Sequence, residues 1–128
     1  MSTQSAKNIA EMLEAMRVDD ITPVEVGNGC YRRDLPSLPD IRVWVVDISP
    51  GCEWPRIDEH DAAGEYAYVV SGDLIEGDVS FEPGTYVYYK PNSSHRPRSK
   101  KGVRLFGFNV LSVPSPSRDD HECLNRSS

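Results

Sequence analysis

The chain has 128 residues, 38% hydrophobic and 27% charged, with a formal charge of −6. That length and composition fit one soluble globular domain with a core of its own, and they exclude a chain that needs disulfide staples to fold. An acidic balance argues against a nucleic-acid surface, which needs a clustered basic stripe. The densest basic patch is Arg96, Arg98, Lys100, Lys101 and Arg104, expected as a solvated loop or a pocket rim beside His95. Cysteines are three, Cys30, Cys52 and Cys123, with no Cys-x-x-Cys pair, so neither a disulfide framework nor a thiolate zinc knuckle is expected. No apolar run of signal-peptide or transmembrane type occurs. A cytoplasmic location is the default expectation, with no membrane partner.

In chain order, residues Ala6 to Val18 read as an amphipathic helix. Ile9, Met12, Leu13 and Met16 fall at i, i+3, i+4 and i+7, and Asn8 with Glu11 has the spacing of a capping box. This sets residues 1–20 apart as a helical extension. From there the texture changes to short β-type runs between Gly and Pro turn signals. The expected strands are Val24–Val26, Cys30–Asp34, Ile41–Ile48, Glu65–Ser71, Asp73–Ile75, Val79–Glu82, Tyr86–Lys90 and Val103–Leu111. Many short strands at close spacing imply an all-β antiparallel sandwich or barrel over residues 21–112. Residues 113–128 form a polar tail that includes His121 and is expected to be mobile or draped over a neighbour.

Two imidazoles and two carboxylates carry the chemistry. His60 and Glu65 lie in Asp58-Glu59-His60-Asp61-Ala62-Ala63-Gly64-Glu65, and His95 closes Pro91-Asn92-Ser93-Ser94-His95. Two histidines and a carboxylate with open positions form a set that holds a catalytic divalent metal. Glu65 opens an otherwise apolar strand, where an unpaired buried carboxylate is costly, and ligation accounts for its placement. Asp58 is a further ligand or an acceptor behind the ligands. Tyr86 and Tyr88 share a strand parity. As an inward pair they would orient an oxygen-bearing substrate or act as an acid; barrel packing or a dimer interface is the alternative. Arg42, alternating with Val43 and Val45, would bind a substrate carboxylate if it faces inward. There is no Gly-x-Ser-x-Gly elbow, no Gly-x-x-x-x-Gly-Lys loop and no Gly-x-Gly-x-x-Gly fingerprint.

The run Pro50-Gly51…His60-x4-Glu65-x6-Gly72 resembles the first motif of the cupins, and Gly84…Pro91-Asn92-Ser93-Ser94-His95 resembles the second. The resemblance spans Val24 to Leu111 and is similar in texture to the cupin domain of ChrR-type anti-sigma factors. It implies a jelly-roll barrel with a divalent metal at its mouth. It also implies His60, Glu65 and His95 as ligands. Where cupins carry His-x-His, this chain has Asp58-Glu59-His60. A harder, more anionic set follows, which suits iron(II), manganese or nickel, with zinc also open. The implied function is a metal-dependent enzyme of the dioxygenase or isomerase/cyclase class on a small oxygen-rich organic substrate, in a homodimer. A ligand- or stress-sensing module and a metal-free structural barrel are the alternatives.

Overall fold

The computed structural model describes residues 8–60 and 63–111. Ten strands are present among them: β1 (Val24–Gly27), β2 (Cys30–Leu35), β3 (Ile41–Ile48), β4 (Asp58–Glu59), β5 (Glu65–Gly72), β6 (Leu74–Glu76), β7 (Val79–Phe81), β8 (Tyr86–Tyr89), β9 (Ser94–His95) and β10 (Val103–Val110). Eight are the strands that the alternation in the sequence predicts, with ends displaced by a residue or two. The two-residue strands β4 and β9 carry no period-2 pattern and go unpredicted.

Six strands make one antiparallel sheet in the order β1-β2-β3-β10-β5-β8. Two short ribbons, β4-β9 and β6-β7, form the remaining walls. Isolated bridges of Arg98 to Glu53 and to Ile75 tie loop backbone between them. Alternation decides what faces inward. Cys30 on β2, Trp44, Val46 and Ile48 on β3, Ala67 and Val69 on β5, Leu74 on β6, and Val103 and Leu105 on β10 form one buried core cluster. Each large apolar side chain fully buried there contributes about 2 kcal/mol. Cys30 and Cys52 are free thiols.

The long helix expected over Ala6–Val18 does not form over its described part. Asn8 onward holds only two 3-10 turns, Ile9–Glu11 and Val18–Asp20, and Asn8 makes no side-chain cap hydrogen bond. Ile9, Met12, Leu13 and Met16 all stay exposed. An isolated helix of that length is marginal in water, and without a surface beneath its apolar stripe the periodicity alone cannot hold it. The second turn is anchored to the sheet through charge. Arg104 reaches Asp19 and Asp47, and Arg33 bonds Asp47 and the carbonyl of Ile21.

The basic patch is dispersed rather than massed. Arg96 bonds the carbonyls of Trp54 and Pro55, Arg98 that of Gly77, and Arg104 points to the Asp19–Asp47 pair. These arginines staple loops. The polar tail from residue 112 on, with His121, lies outside the described residues. No helix among the described residues is long and apolar enough to cross a membrane.

Candidate metal centre

The pairing of β4 with β9 builds the site. Asp58 lies directly opposite His95, and Glu59 opposite Ser94. One residue further on, the His60 N–H donates to the Ser93 carbonyl at 2.8 Å. The chain reaches this pairing through a tight turn after β8. There the Lys90 carbonyl accepts from both the backbone N–H and the hydroxyl of Ser93. Asn92 in that turn takes φ 65°, a left-handed conformation that asparagine tolerates better than most residues. On the other side Gly64 has φ 73°, and a Cβ there would come within 2.6 Å of the Tyr89 carbonyl. Glycine thus lets the loop close onto β8 and deliver Glu65 opposite Tyr89.

Asp58, His60, Glu65 and His95 meet in the wall of a cavity of about 390 Å³. Each offers a ligand atom, and the four atoms lie within 4.8 Å of one another. His60 Nε2 is 3.0 Å from Glu65 and 3.9 Å from Asp58, and His95 Nε2 is 3.4 Å from Asp58. The two rings stand 4.8 Å apart, and Tyr89 stacks on His95 at 4.0 Å.

A second layer fixes the rings. Glu76, at the end of β6, takes hydrogen bonds at one oxygen from both His95 Nδ1 and the Tyr89 hydroxyl. With Glu76 as the acceptor of both, the proton of His95 lies on Nδ1. The Nε2 edge of His95 is thereby turned to the cluster, where it is buried 3.4 Å from Asp58. Beside Glu65, Asn109 on β10 is held by the Trp44 indole, whose N–H donates to its Oδ1 at 2.7 Å. Trp44 in turn needs Gly107, where a Cβ would strike its ring at 2.5 Å. The indole therefore lies across β10 as the cavity floor.

The electrostatics are those of a cation site. Two ionised carboxylates no more than 4.8 Å apart repel by about 3 kcal/mol or more at an effective dielectric of about 20. The repulsion must be relieved by a proton or a cation. Burial first, then the Asp58 charge, pushes Glu65 up from 4.5 to about 8. Asp58 goes the other way: burial opposes its ionisation, but the hydrogen bond to His95 and the charge of His60 outweigh it. For His95, burial favours the neutral ring, yet hydrogen bonds to Asp58 and Glu76 prevail and raise it from 6.5 to about 9. Burial and the adjacent Glu76 keep the Tyr89 hydroxyl protonated. Two imidazole nitrogens and two carboxylates within 4.8 Å of one another fit a divalent ion of the first transition row.

No protein-family model matches the sequence, and no curated protein matches it. Solved structures do. A predicted oxalate decarboxylase from Thermotoga maritima superposes with TM-score 0.66 at 17% identity, over 77% of this chain and 100% of that one. The polyketide cyclase RemF from Streptomyces resistomycificus gives 0.65 at 17%, over 87% and 92%. The complex of SigE with the anti-sigma ChrR from Rhodobacter sphaeroides gives 0.65 at 16%, over 85% and 67%. An RmlC-like cupin from Shewanella frigidimarina gives 0.62 at 19%, over 83% and 93%. The chain has the cupin fold.

Within this cupin barrel the expected site residues separate into two groups. Asp58, His60, Glu65 and His95 converge, and Arg42 lines the same cavity. Tyr86 and Tyr88 do not. They are 62% and 44% exposed on the outer face of the sheet, which corrects the inward reading of that parity. Glu65 faces the cavity opposite Tyr89, so it is Tyr89 and Val87 that share the inward parity of β8. Glu76, Tyr89, Asn109 and Arg32 are site or cavity residues that the sequence reading passed over. Asn109 had a signal: it is the polar member of the inward row Val103, Leu105, Gly107, Asn109. Glu76 had none, since it lies in an ordinary Glu-Gly-Asp turn.

Proposed function

We propose that this cupin is a metal-dependent enzyme of the dioxygenase or isomerase/cyclase class, acting on a small oxygen-rich organic substrate. The observation that carries the reading is the cluster of four donor atoms within 4.8 Å in the wall of a ligand-sized cavity. Asp58, His60, Glu65 and His95 would hold the ion, which we take to be iron, manganese, nickel or zinc. Such an ion supplies Lewis-acid polarisation of a substrate oxygen and, if it is iron, activation of dioxygen. The protein's own part is to hold His95 in one tautomer through Glu76 and Tyr89, to keep Glu65 in place beside Asn109, and to give the substrate a floor of Trp44, Val46 and Leu105. Tyr86 and Tyr88 have no part in the chemistry in this reading, because both lie outside the cavity wall.

A homodimer in the cytoplasm belongs to the same reading. The free thiols of Cys30 and Cys52, among the described residues, suit a reducing compartment, and the aromatic outer sheet face suits a second copy.

Elemental analysis of the purified protein tests the metal. About one ion per chain is expected, with His60→Ala and His95→Ala each falling to a small fraction of that while staying folded. Equal metal content in the variants would refute the assignment. Oxygen uptake or isomerisation with candidate diketones and catechols would support the enzyme. Tight ligand binding without turnover would favour a sensing module instead.

A further inference from the structure

Arg42 and Arg32 line the same cavity as the cluster of Asp58, His60, Glu65 and His95. Strand register fixes how they are spaced. Glu65 on β5 lies opposite Tyr89 on β8, and Arg42 on β3 lies opposite Asn109 on β10. The pairing of Tyr66 with Phe108 sets Glu65 beside Asn109. Tyr89, Glu65, Asn109 and Arg42 therefore form one inward rung across four adjacent strands. With about 4.8 Å between neighbouring strands, the Arg42 backbone lies about 10 Å from that of Glu65. Asn109 sits between them with its Oδ1 already taken by Trp44. Arg32, two rungs along the sheet and opposite Val46, is ion-paired, its Nε 3.1 Å from Asp34.

We propose that Arg42 forms a carboxylate subsite and that the substrate is a small organic acid that spans from it to the donor cluster. Its carboxylate lies on the Arg42 guanidinium. Its hydroxyl, keto or second carboxyl oxygen lies at the donor cluster. The inference deepens the metal reading above and rests on it. A planar guanidinium half-buried beside the apolar floor of Trp44, Val46 and Leu105 is matched by a carboxylate, which accepts two parallel N–H bonds. A neutral substrate of the same length gains nothing from Arg42. A cavity of about 390 Å³ admits an acid whose two oxygen functions are separated by a few carbons.

Calorimetric titration of the manganese(II)-loaded protein with succinate, glutarate and acetylacetone tests the subsite. Acetylacetone chelates metal and carries no carboxylate. Arg42→Gln is expected to weaken the better-bound dicarboxylate by about tenfold or more while acetylacetone binding and metal content stay as in the wild type. Arg42→Lys, which keeps the charge but not the fork, is expected to lose several-fold, and it carries the test if Arg42→Gln does not fold. Dicarboxylate affinity unchanged in both variants overturns the subsite, as does wild-type protein that takes acetylacetone but neither acid. The metal reading fails separately: if the wild type takes up no manganese yet binds the acids in an Arg42-dependent way, the subsite stands and the metal centre falls.

Discussion

At the scale of single residues, Glu76 has the largest consequence for its size. One of its oxygens accepts from His95 and from Tyr89, and so determines which nitrogen of His95 faces the cluster. Carboxylates behind a ligating histidine typically change metal affinity by 10–100-fold when removed. Glu76→Gln keeps the volume but loses the charge that accepts two donors. We expect metal affinity to fall by about tenfold or more with the fold intact, read by chelator competition alongside circular dichroism. An unchanged affinity would show that His95 is held by ring stacking on Tyr89 alone. The sequence made His60, Glu65 and His95 legible because imidazoles are rare in this chain and a carboxylate opening an apolar strand demands a reason. The tyrosines were harder. Tyr86, Tyr88 and Tyr89 are adjacent aromatics, and only the pairing of Tyr89 with Glu65 says which parity is inside.

Among elements, the strands were legible wherever alternation was strong, as in Ile41–Ile48 and Val103–Val110. The strands that matter most for the site, Asp58–Glu59 and Ser94–His95, are too short to show any period and exist because two loops pair. The N-terminal stripe failed for the opposite reason: a clear helical period had no surface to bury itself against. The outer face of β5, β8 and β10 presents Tyr68, Val70, Tyr86, Tyr88 and Phe106, each more than 40% exposed, beside the stacked Tyr66 and Phe108. An exposed aromatic patch of this kind is what an isologous pair of sheets buries. Light scattering is expected to give twice the chain mass, and Tyr86→Arg with Phe106→Arg to shift it to one. A wild-type mass of a single chain would rule the pairing out.

Over the whole molecule, what the sequence cannot express is the order β3-β10-β5-β8, which joins strands far apart in the chain and sets Arg42, Asn109, Glu65 and Tyr89 in one row. Period-2 patterns assign a face to each strand but not its neighbour. That order also couples the donor cluster to stability. Without a bound ion, Glu65 at about 8 and His95 at about 9 hold their protons more tightly in the folded chain than at their ordinary values of 4.5 and 6.5. The stability they lend is fully present below those ordinary values and is lost as pH rises through about 8 and 9. A divalent ion must displace the same two protons, so its affinity climbs over the same window. Because binding only to the folded state adds RT ln(1 + [L]/Kd), the gain in Tm from a fixed excess of manganese(II) should be small near about pH 6 and markedly larger near about pH 8.5. Calorimetry in two buffers of different ionisation enthalpy should detect proton release on metal uptake at about pH 7. A Tm gain independent of pH, with no protons released, would mean that the ion is not displacing protons from Glu65 and His95.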